Sequence, residues 1–288
     1  MRSAEEIKKL IIDKAIADER IRAVLLNGSR ANHKMLADKY QDFDIVYIVD
    51  KLESFTNDHS WTNIFGSRIS WQLPAEMTFG KTTITDQENF RFTYLMLLQD
   101  GNRVDLTLFA KDKIETNFIV DSLTIVWFDK DNLFLNIEEA NDSDYLIKKP
   151  TEKEYCDCCN EFWWVCTYVS KGLLRTEITY SKEMLETVVR PMFMKIVEWY
   201  IGTETSFSVS FGKSGKLMKN YLSPFHYNKI LSTYSNHEIE NNWNALFTMT
   251  ELFGKFSTIV AEKLHFQYNA EEEKNVKKFL EQSYEERQ

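Results

Sequence analysis

Asp42-Phe43-Asp44-Ile45-Val46-Tyr47-Ile48-Val49 is a run of branched and aromatic residues with two acids at its head. Its composition is that of a β-strand. A side-chain period of two puts Asp42 and Asp44 on one face of that strand, at the edge of an otherwise apolar run. Carboxylates held side by side at the rim of a core repel each other and resist desolvation. The pattern has two readings, a cation held between them or solvated acids at an exposed strand end, and the pair taken alone favours the second. Magnesium suits the first reading, because a hard ion prefers carboxylate and phosphate oxygens.

Upstream, Ile21 to Leu26 is a short branched apolar run that predicts a buried strand ending at the turn Asn27-Gly28-Ser29-Arg30. At a strand-to-helix turn, Gly28 and Ser29 let backbone N–H groups approach phosphate oxygens, and Ser29 adds a hydroxyl donor. Arg30 has two readings, a charged contact or a surface cap. Further upstream, Ser3-Ala4-Glu5-Glu6 is a capping box that predicts a helix to about Ala17. Downstream, Phe92 to Leu98 and Arg103 to Phe109 flank the turn Asp100-Gly101-Asn102 and are expected to pair as a hairpin. The second of these strands carries Asp105 between Val104 and Leu106, and an acid inside such a run is seldom structural without a partner.

From Thr151 the texture changes. Helical periodicity dominates over Tyr155 to Leu174, Lys182 to Trp199, Trp243 to His265 and from Glu271 onward. The expected fold class is α+β: an N-terminal domain, 1–150, with a mixed β-sheet flanked by helices, then a C-terminal helical-bundle domain, 151–288, with Pro150 at the boundary. Of 288 residues, 43% are hydrophobic and 27% charged, which excludes wholesale disorder. The formal net charge of −9 opposes a nucleic-acid binder and suits a cationic small-molecule partner. With no apolar leader and no membrane-length apolar stretch, a soluble, cytoplasmic chain is expected. Cys156, Cys158, Cys159 and Cys166 match no zinc spacing and are expected to be free, buried thiols. Gly212-Lys213-Ser214-Gly215-Lys216 lacks the flanking residues of a phosphate loop, having Ser210 and Leu217 where that motif needs Gly and Ser or Thr.

In order, these elements are a strand, Gly-Ser, a short excursion, a strand with Asp-x-Asp, and a later strand with a third Asp. The order resembles the polymerase-β-like nucleotidyltransferase superfamily. Glu19-Arg20-Ile21-Arg22, Gly28-Ser29-Arg30-Ala31-Asn32, Gln41-Asp42-Phe43-Asp44-Ile45, Tyr94-Leu95-Met96-Leu97 and Asp105-Leu106-Thr107-Leu108 are similar to the aminoglycoside 6-adenylyltransferases. In the second half, Cys158-Cys159-Asn160-Glu161-Phe162-Trp163, Lys171-Gly172-Leu173, Val189-Arg190-Pro191 and Leu231-Ser232-Thr233-Tyr234 resemble the same family.

The resemblance implies magnesium-dependent transfer of AMP from ATP to a hydroxyl of streptomycin, the 6-position of a streptomycin-type aminoglycoside, with release of pyrophosphate and antibiotic resistance. Asp42, Asp44 and Asp105 would hold Mg2+, with Asp105 either completing the metal site or taking the hydroxyl proton. Gly28, Ser29 and Arg30 would meet the phosphates, as would Lys171 and Arg175 from the second domain, in a cleft between the two. Glu161 and Trp163 are the expected acceptor wall. Either a monomer or a homodimer is compatible with the sequence. The alternatives are the same chemistry on a lincosamide or a protein hydroxyl, or nucleotide binding without turnover. Asn27 stands where the family usually has Glu, and Cys156-Asp157 where it usually has Asp-Asp; both changes thin an anionic lining.

Overall fold

Ser3 accepts from the Glu6 backbone N–H while the Glu6 carboxylate accepts from that of Ser3, closing the expected capping box at the head of helix α1, Ala4–Ala17. Ile7, Ile11 and Ala15 recur at helical spacing and are buried against a sheet. The computed structural model describes residues 1–36, 38–79 and 89–287. They divide into two compact units, Met1–Asp144 and Tyr145–Gln288.

The first unit is built on six strands: β1 Ile21–Asn27, β2 Phe43–Val49, β3 Arg68–Gln72, β4 Arg91–Leu98, β5 Arg103–Ala110 and β6 Ile125–Asp129. Their order across the sheet is β3-β4-β5-β2-β1-β6. The β4–β5 hairpin turns at Gly101, and every named neighbour pair is antiparallel except β2 with β5. Short helices α2, Glu53–Thr56, and α3, Ile114–Asn117, lie in the connections. Alternation sorts the strand side chains onto two faces. Phe43, Ile45, Tyr47 and Val49 join α1 in the larger core, where the Tyr47 hydroxyl donates to the Ile11 carbonyl at 2.7 Å. Val46 and Ile48 join Ala23, Leu25 and Phe109 in a smaller core on the opposite face.

The second unit is helical: α4 Glu152–Leu174, α5 Ile178–Met184, α6 Arg190–Glu204, α7 Pro224–Leu231, α8 Ile239–Leu264 and α9 Ala270–Glu286. A second capping box, Thr151 with Glu154, starts α4 three residues ahead of its expected first turn. The single helix expected over Lys182 to Trp199 is broken by a π-helical turn, Leu185–Val189. Pro191 explains it, since proline lacks an N–H and its ring crowds the carbonyl four residues back; widening the turn relieves both. Two motifs that lie apart in sequence meet in this core. The Arg190 guanidinium donates to the Thr233 carbonyl and hydroxyl, both at 2.9 Å, pairs with Glu186 and lies 3.8 Å over the Tyr234 ring. The four cysteines are free, but Cys156 is exposed rather than buried. Among the described residues no helix is long and apolar enough to cross a membrane.

Candidate active site

The Asp44 carboxylate is placed by its strand and by the side chain that the turn after β1 omits. On β2 it follows the same face as Val46 and Ile48, but at the strand's first turn of pleat, beyond the small apolar core. Gly28 opens a 3-10 turn, Gly28–Ala31, directly after β1, with φ +73. A side chain at 28 would collide with the Asp44 carboxylate, so only glycine allows this approach. Asn27, paired with Asp44 across β1 and β2, is held by the Thr124 hydroxyl, which donates to its side-chain oxygen at 2.9 Å.

The third acid arrives through the parallel pairing. β2 and β5 run in register from Phe43 opposite Val104 to Val49 opposite Ala110, which sets Asp44 opposite Asp105. Both side chains therefore share a face at the same level of the sheet. Asp42, just before β2, belongs to the same electrostatic group. Burial pushes the Asp44 carboxyl up to about 6, reinforced by the charges of Asp105 and then Asp42. Asp42 is raised by burial too, against the opposing pull of Arg103. The Asp44 carboxylate accepts no hydrogen bond from the described residues.

One cation already stands among them. Arg103 lies two residues before Asp105 on β5 and grips both its oxygens, Nε to Oδ1 at 2.8 Å and Nη2 to Oδ2 at 2.7 Å. Its Nη1 is 3.7 Å from Asp42 Oδ2. The spacing that joins Asp42 to Asp44 also joins Arg103 to Asp105, a signal for Arg103 that is present in the sequence itself. The donor set suits a hard divalent ion: three carboxylates on one sheet end, one of them desolvated and uncompensated. As they stand, however, no three His, Cys, Asp or Glu side chains among the described residues are arranged around a common ion.

Ser29 follows Gly28 in the same turn, and its hydroxyl has no partner among the described residues. Arg30, expected at phosphate, is engaged with the backbone in this structure. Its Nε donates to the Asp42 carbonyl at 3.0 Å, its Nη2 to the Gln41 carbonyl at 2.7 Å, and the guanidinium lies 3.9 Å over Phe43. It positions the strand that bears the acids, because its donors point at backbone and its face at an aromatic ring.

On α4 the expected acceptor residues separate. Trp163 is fully buried, its indole N–H donating to the Tyr268 hydroxyl at 3.2 Å, so it cannot form an acceptor wall. Adjacent residues on a helix point about 100° apart, and it is Trp164, 58% exposed, that faces water. Glu161, Trp164, Tyr168, Lys171 and Arg175 follow one another on the exposed side of α4 and its cap, with Trp164 donating to the Tyr168 hydroxyl at 2.6 Å.

The family model described as streptomycin adenylyltransferase matches residues 1–283. The chain belongs to that family. It is by that membership an enzyme of the nucleotidyltransferase class. An aminoglycoside 6-adenylyltransferase of Bacillus subtilis (strain 168) is 42% identical over 270 residues, 93% of each chain. One from Campylobacter jejuni is 37% identical over 274 residues, 95% of this chain and 93% of the other. A crystal structure of an aminoglycoside 6-adenyltransferase from Bacillus subtilis, 37% identical, aligns over 99% of both chains with a TM-score of 0.47. In this chain the Gly28 turn lies directly against Asp44, one of three acids gathered at one end of the sheet.

Proposed function

We propose that the protein transfers AMP from ATP to the 6-hydroxyl of a streptomycin-type aminoglycoside, with Mg2+, and releases pyrophosphate. The observation that carries this reading is the in-register placement of Asp44 beside Asp105, next to a turn opened by Gly28. Asp42 and Asp44 would hold the metal, and Asp105 would either complete its shell or accept the proton of the acceptor hydroxyl. Bound divalent ions supply charge neutralisation at the triphosphate and a lowered acceptor pKa. Gly28 and Ser29 offer backbone N–H and hydroxyl donors to phosphate oxygens. The acceptor oxygen forms its bond to the α-phosphorus as the bond to pyrophosphate breaks, and the hydroxyl proton leaves with the base. The exposed α4 face offers Lys171 and Arg175 for anionic groups and Glu161 for guanidinium or ammonium groups. In place of Trp163, Trp164 and Tyr168 present apolar ring faces there.

The decisive experiment is pyrophosphate release from ATP and Mg2+ across a panel of acceptors. Turnover with streptomycin and none with kanamycin or a lincosamide is expected. Turnover only with a lincosamide or a protein, or none with clear ATP binding, would sink the assignment.

A further inference from the structure

Arg103 is 44% exposed on its side chain, yet it spends its fork on one carboxylate and leans on a second. The cluster thus holds three acids and one guanidinium that bonds to them, while a second, Arg30, acts on the Asp42 and Asp44 carboxylates by charge alone. Asp105 is neutralised by two short bonds, Asp42 is touched at 3.7 Å, and Asp44 accepts no hydrogen bond from the described residues and feels the two guanidinium charges only at a distance. Two guanidinium charges, only one of them in contact with a carboxylate, do not balance three negative ones at this spacing. The same fork occupies both oxygens that Asp105 would offer an ion, which accounts for the lack of a ready three-carboxylate shell among the described residues.

We propose that Arg103 is the built-in counter-ion of the metal-free site: it occupies Asp105 until a divalent cation displaces it. The inference rests on the reading above that these carboxylates hold the metal. Its physical basis is that guanidinium and divalent ion compete for the same oxygens, and that the cation brings twice the charge. Displacement is easy for this side chain. Half in water already, Arg103 can swing out and complete its hydration, and its cross-strand neighbour on β4, Leu97, is itself exposed. In this role Arg103 is a positioning residue, which keeps the acids gathered without metal and makes the site selective for ions strong enough to evict it.

The test is calorimetric titration of the whole protein with Mn2+ alone, in the absence of nucleotide. Arg103→Gln is expected to bind Mn2+ about 3- to 10-fold more tightly than the wild type, the range for losing a partly exposed bidentate competitor. Arg103→Lys, which keeps the charge and loses the fork, is expected to lie between. In EDTA, Arg103→Gln should melt lower than the wild type, and saturating Mn2+ should raise its melting temperature by more. Equal or weaker Mn2+ binding by Arg103→Gln, or no binding by either protein, overturns the proposal. Asp44→Asn separates the two readings: if it binds Mn2+ like the wild type, the metal site itself is wrong, whereas a defect there with Arg103→Gln unchanged removes only the counter-ion role.

Discussion

Gly28 and Asp44 are packed so closely that position 28 has room for a hydrogen and nothing larger. A Cβ there would stand 3.0 Å from the Asp44 Cγ and nearer still to one of its oxygens. The same glycine has φ +73, a left-handed conformation that side chains resist. Turn and acid are therefore one device: the turn gives the carboxylate its space, and the carboxylate forbids any other residue in the turn.

Gly28→Ala is accordingly expected to lower stability by ~1–2 kcal/mol from the backbone alone, and to displace the Asp44 carboxylate. Denaturant melts and steady-state kinetics check this together. The loss should fall on kcat more than on folding, and a variant with normal kcat would show that the Asp44 position is not critical.

Asp44→Asn should reduce kcat at least ~10²-fold, the scale for losing one group that stabilises transition-state charge, and yet stabilise the metal-free protein at neutral pH. The sign follows from linkage. The folded carboxyl is raised from 3.8 to about 6, so the fold favours its protonated form. Below pH 4 there is no penalty. Between pH 4 and 6 wild-type stability falls as the group ionises, and above 6 the penalty is constant. The variant's advantage, on the order of 1–2 kcal/mol after allowing for partial solvation, should vanish at pH 4. Melts in EDTA across pH 4–8 measure it, and a pH-independent difference would contradict the desolvation argument.

Arg30→Ala is expected to cost ~1–3 kcal/mol, because two backbone carbonyls lose charged donors, and to depress kcat by loosening Asp42. KM for ATP should change little. Lysine should not restore the enzyme, since one ammonium cannot reproduce the two-pronged grip and the stacking on Phe43. A variant altered in KM alone would make Arg30 a phosphate ligand after all.

The neighbouring tryptophans should behave oppositely. Trp163→Ala empties a fully buried site and is expected to cost ~3–5 kcal/mol. Trp164→Ala should leave stability within ~0.5 kcal/mol and raise KM for the antibiotic. Thermal melts and acceptor titrations distinguish them, and a large stability loss at Trp164 would contradict its exposed placement.

Strand β3 is not legible in the sequence, for a physical reason. Arg68-Ile69-Ser70-Trp71-Gln72 is an edge strand with little burial, so it lacks the apolar alternation that marks a strand in sequence. β6 is five half-buried residues, too short to stand out. Ser223 and Pro224 supply the N-cap and first turn of α7, but a helix of eight residues has too few periods to be counted. The break at Pro191 is local chemistry that could have been anticipated.

What short-range chemistry controls was written along the chain. Capping at Ser3, the strand character of residues 43–49, the shared face of Asp42 and Asp44, and the turn at Gly28 each depend on a handful of adjacent residues. Three relationships do not. Pairing β2 alongside β5 rather than β4 is what sets Asp44 opposite Asp105, and that register depends on packing both strand faces at once, across 61 positions of chain. What Trp163 meets in the core depends on where α8 and α9 lie, since Phe253 of α8 packs edge-on against its ring and Lys277 of α9 stands over it. Whether Arg103 reaches Asp42 as well as Asp105 depends on that same parallel pairing. Periodicity tells a side chain which face to take; only the neighbouring element tells it what it will meet there.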